Sequence, residues 1–82
     1  MDIFIYFRER LPCGLDEIED RISDALGDLG EVTGSGAGVA GSNIDVEITD
    51  EDTTEDEALK IIRGAVAELK LPASTAVDIH DR

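Results

Sequence analysis

The chain has 82 residues, of which 20 are Asp or Glu and 7 are Lys or Arg, so its formal net charge at pH 7 is −13. This length supports one domain with a single modest core, residues 1–82, and is too short for two. A surface this acidic disfavours nucleic acid, anionic phospholipid and anionic substrates and steers basic partners toward it. The apolar residues, 41% of the chain, are clustered and often β-branched, which argues against disorder. No apolar run approaches the roughly 20 residues that span a membrane. The opening MDIFIYFRER lacks a basic region followed by a long apolar stretch, so a strand is expected there and not a signal peptide. With Cys13 as the single cysteine, neither an intramolecular disulfide nor a thiolate zinc site is expected, and a cytoplasmic protein is the simplest expectation.

The first strand is predicted over Asp2 to Arg8, with Ile3, Ile5 and Phe7 facing one way and Phe4, Tyr6 and Arg8 the other. Both faces are apolar at its centre, which predicts an interior strand. Pro12 and Gly14 then break the chain. A helix is predicted from Leu15 to Leu29, its apolar stripe formed by Leu15, Ile18, Ile22, Ala25, Leu26 and Leu29. Its other face carries Asp16, Glu17, Glu19, Asp20, Asp24 and Asp28; the last two oppose the helix dipole, so helix stability alone does not explain them.

The chain next becomes glycine-rich, GEVTGSGAGVAGS. A weak edge strand is predicted from Glu31 to Ala37, then a loop through Gly38, Gly41 and Ser42; glycine adds backbone entropy and packs nothing, so this element should be peripheral and mobile. From Asn43 to Thr49 the alternation is strict: Ile44, Val46 and Ile48 inward, Asn43, Asp45, Glu47 and Thr49 outward. Thr54 is a predicted N-cap with Glu57 as capping-box partner. The second helix carries Ala58, Leu59, Ile62, Ala65, Val66 and Leu69 and is predicted to stop at Leu71-Pro72. Thr75, Val77 and Ile79 form the inward side of a last strand, with Ala76, Asp78 and His80 outward.

The order β-α-β-β-α-β leaves two helical stripes to bury, and one face of a four-stranded antiparallel sheet accepts both. Right-handed crossovers then give an α+β, ferredoxin-like two-layer sandwich with strand order 4-1-3-2. The first strand becomes central and the glycine-rich one lies at an edge.

In this arrangement the helices cover one sheet face and leave the other open. The outward residues there are Phe4 and Tyr6, flanked by Asp45 and Glu47 on one side and Asp78 and His80 on the other. Aromatic residues supply interface anchors, and surrounding charges set encounter rate and specificity, so this set is the candidate protein-binding site. The competing expectation is that Phe4 and Tyr6 pack under a loop or the C-terminal residues while the acids confer solubility. Exposed sheet aromatics also serve single-stranded RNA binders. Here they would be flanked by carboxylates with only Arg8 and Arg10 nearby, so direct nucleic-acid binding is not expected.

Other motifs are incomplete. Gly34, Gly36, Gly38 and Gly41 precede no helix and no Gly-Lys-Ser/Thr, as a phosphate cradle would require. Asp50, Asp52, Thr54 and Asp56 alternate like an EF-hand loop, but Glu55 stands where its glycine belongs and Ile61 where its closing glutamate belongs. His80 lies between Asp78 and Asp81 with no serine or second histidine placed to complete a catalytic set. Cys13 precedes the first helix, where Asp16 and Glu17 oppose thiolate formation. The expectation is a domain without catalytic activity, metal or cofactor.

The global charge, the outward set Phe4, Tyr6, Asp45, Glu47 and Asp78, and the acids Glu19, Asp20 and Asp24 on the first helix resemble small acidic immunity proteins and inhibitors that neutralise bacterial toxins. That resemblance is one of physical class, without a diagnostic motif. It implies stoichiometric blockade of a basic protein such as a nuclease, with carboxylates pairing the Lys or Arg residues that would hold substrate phosphates. Two rival expectations stand beside it. The acidity could be adaptation to a salt-accumulating cell, or the domain could be a regulatory module that dimerises through Phe4 and Tyr6, in which case the carboxylates at 45, 47 and 78 need cations opposite them.

Overall fold

The computed structural model describes residues 1–38 and 41–80. Its elements are β1 (Asp2–Phe7), α1 (Leu15–Leu26), β2 (Gly30–Gly38), β3 (Gly41–Ile48), α2 (Glu55–Glu68) and β4 (Ala76–His80). The strands lie in the order β2-β3-β1-β4, the predicted 4-1-3-2 read from the other edge, and every neighbouring pair is antiparallel. Both helices cover one face, giving the ferredoxin-like sandwich.

Strict alternation makes the core. Ile3, Ile5 and Phe7 of β1 and Ile44, Val46 and Ile48 of β3 are buried against Ile18, Ile22 and Leu26 of α1 and Ala58, Ile62 and Ala65 of α2. Val77 and Ile79 of β4 are half-buried against the same cluster. Arg21 of α1 and Glu68 of α2 form an ion pair that ties the helices together. The N-cap of α2 is as expected: Thr54 Oγ1 accepts from the Glu57 amide at 3.2 Å.

Several boundaries differ from expectation, each for a backbone reason. The first helix ends at Leu26 and not at Leu29, because Gly27 takes φ 56° and leads into a 3-10 turn, Gly27–Leu29. The Leu29 carbonyl then accepts from the amides of Thr49 and Asp50 at 2.9 and 3.1 Å, which anchors the end of β3. The second helix ends at Glu68, before the predicted Leu71-Pro72. Lys70 enters the left-handed region at φ 55°, and the Leu71 amide turns back to Val66 O at 3.2 Å. Thr75 is not a strand residue; its amide closes a turn onto Pro72 O at 3.0 Å.

The largest departure concerns the glycine-rich segment. Gly38, Gly41 and Ser42 are not loop residues but strand residues: Gly38 pairs with Gly41 and Ala37 with Ser42. Residues 39 and 40 lie outside the described residues. A register shift between Val32 and Gly34 inserts Thr33 as an extra residue in β2. Gly41 has φ 136°, and a Cβ there would collide with the Phe7 carbonyl oxygen. Among the described residues, no helix is long and apolar enough to cross a membrane.

Candidate protein-binding face

Since Ile3, Ile5 and Phe7 of β1 are committed to the helices, pleating turns Asp2, Phe4 and Tyr6 to the opposite, uncovered face. The register sets their neighbours. Phe4 stands between Asp45 of β3 and Asp78 of β4, and Asp45 in turn pairs with Gly34 of β2. Tyr6 stands between Asn43 and Ala76, with Gly36 beyond Asn43. Asp2 stands between Glu47 and His80, with Glu31 beyond Glu47. The predicted set Phe4, Tyr6, Asp45, Glu47, Asp78 and His80 therefore occupies one face in adjacent rows.

The two aromatics are not equivalent. Tyr6 is 40% exposed, the one large hydrophobic side chain among the described residues that is. Phe4 is half-buried, its ring meeting the His80 ring edge-to-face at 4.8 Å between centroids and 76° between planes. The expectation that C-terminal residues pack over an aromatic is thus met at Phe4 and not at Tyr6. A shallow depression of about 610 Å³, open to solvent, adjoins Tyr6 and is bordered by Arg8, Asn43, Asp78 and His80. Asp45 is oriented from its own strand, Oδ1 accepting from Asn43 Nδ2 at 3.2 Å.

Asp2 and Glu31 belong to this face and were not in the predicted set. Asp2 shares the parity of Phe4 and Tyr6, a signal the alternation already carried. Glu31 reaches the face through the register shift at Thr33, which no periodicity announces. By contrast, the acids of α1 do not join it. Asp20 and Asp24 are exposed on the side of α1 away from Ile18, Ile22 and Leu26, across the molecule from the open sheet face.

The remaining candidates resolve into ordinary structure. The Asp50 carboxylate accepts from the buried Thr53 hydroxyl at 2.7 Å and shapes the turn into α2, while Thr54 and Asp56 belong to the cap and first turn of that helix. Among the described residues, no group of His, Cys, Asp or Glu is assembled that could hold a metal ion. Cys13 is half-buried against the core. Asp81, the second carboxylate beside His80 in sequence, lies outside the described residues. In comparisons with protein-family models, curated proteins and solved structures, nothing matches the chain. The geometry of the open face is therefore what bears on function.

Proposed function

We propose that this chain is a noncatalytic protein-binding domain that docks a basic protein on the open face of its sheet, in the manner of an immunity-like inhibitor of a cationic toxin. One observation carries the reading: Asp45 and Asp78 flank half-buried Phe4, Glu31 and Glu47 stand in the next row, and exposed Tyr6 lies on the other side of Phe4, where Arg8 borders one end. Tyr6 supplies a rigid amphipathic anchor, and the carboxylates pair with cations of the partner. On a nuclease those cations would be the residues that hold phosphates, so occupying them blocks substrate without chemistry. Direct binding of nucleic acid is outside this reading, because phosphate would meet carboxylates in the Phe4 row and in the Asp2 row beside it.

Affinity capture from the native organism, with low-salt and high-salt washes, tests the proposal. A basic partner should be retained at low salt, released at high salt, and lost on Tyr6→Ala or on Asp45→Asn with Glu47→Gln. Recovery of no basic protein, or of one indifferent to these substitutions, rejects this face.

A second reading has its own support. Exposed acids also cover the outer surfaces of both helices, including Asp16, Glu17, Asp20 and Asp24 of α1 and Glu55, Asp56 and Glu57 of α2. Such dispersal fits a protein adapted to a high-salt cell, where charge describes the habitat. Proteins encoded by the same genome would then share the acidic bias; under the binding reading they would be ordinary in charge.

A further inference from the structure

The sheet ends at β2, whose outer side has no strand neighbour among the described residues. Alternate residues along such an edge direct their N–H and C=O groups outward, which makes it a template for another extended chain. Edges are commonly protected by lysine, proline or inward-pointing charge. The stretch from Val32 to Gly38, VTGSGAG, has none of these; the bulge at Thr33, itself an edge protection, ends before Gly34, from which the register is uninterrupted to Gly38. The other edge, β4, is only five residues long and carries charge at Asp78.

The surface beside this edge is shaped for a long cationic side chain. Gly34 and Gly36 face the open side of the sheet opposite Asp45 and Asn43. A Cβ placed on Gly34 would lie 3.6 Å from Asp45 Oδ2, so this oxygen leans over bare backbone toward the edge. Asp45 Oδ1 is already engaged by Asn43, which holds the carboxylate in that attitude. With strands about 4.8 Å apart, a chain added outside β2 would lie about 10 Å from β3. A short side chain on it could not reach Asp45. An arginine or lysine could, because no side chain at position 34 stands in its path.

We propose that the outer edge of β2 takes an extended, cationic segment of a partner protein as a fifth strand, with Lys or Arg side chains crossing Gly34 to Asp45. This rests on the reading of the open face as the site for a basic partner and names the part of the partner engaged. Main-chain pairing supplies the attachment and the crossing side chain supplies the selectivity. Charge selects the occupant: a second copy of this chain, also at −13, would set acid against acid around the same face.

The test uses the full chain, isotope-labelled, titrated with a blocked octapeptide of alternating arginine and threonine. A serine–threonine octapeptide is the control. In the free chain the amides of residues 32–38 should exchange faster than those of β1. The arginine peptide should slow their exchange by about tenfold or more, with no comparable slowing in α1 or α2. Asp45→Asn should weaken the arginine peptide about tenfold, as should Gly34→Thr, which closes the path. The Gly34→Thr methine would sit at ordinary contact distance from Asp45, so the strand itself should persist. Shifts at Phe4 and Tyr6 without protection of 32–38 would overturn the edge proposal and leave the open-face reading standing. Diffuse shifts over the acidic helix faces, equal affinity for the serine–threonine peptide, or self-association that protects 32–38 without peptide would also overturn it. Failure of the open-face reading shows elsewhere, as a captured partner indifferent to Tyr6.

Discussion

At the scale of single residues, the side chains divide into those that hold the fold and those that line the open sheet face. Val46 of β3 and Ile62 of α2 are each 1% exposed, both within the single core between sheet and helices. Replacing either with alanine should cost about 1–4 kcal/mol through lost burial and the cavity left behind. Urea unfolding measures this, and a change below about 0.5 kcal/mol at both sites would contradict the core assignment. Gly41 is demanding for a different reason. Its φ of 136° and its close approach to the Phe7 carbonyl leave no room for a side chain. Gly41→Ala should therefore destabilise by about 1–3 kcal/mol, whereas Gly38→Ala, across the hairpin and in open space, should be near neutral or slightly stabilising. Equal effects at the two glycines would remove the assigned role of Gly41.

At the scale of elements, α2 contains an evident weakness. Gly64 lies in the interior of this helix, and a Cβ there would meet nothing within 4 Å. Gly64→Ala should stabilise the protein by about 0.5–1 kcal/mol, read as a higher urea midpoint with an unchanged slope. The elements also differ in how legible they were in the sequence. β1, β3 and β4 have period-two patterns in which Ile3, Ile5, Ile44, Val46, Val77 and Ile79 all point the same way, so parity alone assigned their faces. The open-face set followed from that parity, and its adjacency followed from strand order. β2 had no such pattern. Glycine has no hydrophobic side to declare, so neither its full length nor the extra residue at Thr33 could be read, and Glu31 was missed with it. Helix ends were misjudged because Leu29, Leu69 and Leu71 extend an apolar stripe, whereas Gly27 and Lys70 terminate the helices through backbone conformation. The cover that His80 gives Phe4 is a side-chain contact between neighbouring strands, which periodicity does not encode.

For the whole molecule, acids on both helix faces and on the open sheet make self-repulsion a property of the entire surface. Screening should relieve it, since the Debye length shrinks from about 10 Å at 0.1 M salt to about 3 Å at 1 M. The urea midpoint should therefore rise with added sodium chloride over that range, and a flat or falling midpoint would show that repulsion does not limit stability. Association with a basic partner should respond in the opposite sense and slow as salt is added. The placement of Tyr6 has one more use. It is the single tyrosine of a chain without tryptophan, so the tyrosine emission of the protein originates at one exposed ring on the open face. Unmodified protein thus carries its own optical reporter at the proposed contact: docking there would change the intensity or anisotropy of that emission, while events confined to the helix side would leave it largely unaltered.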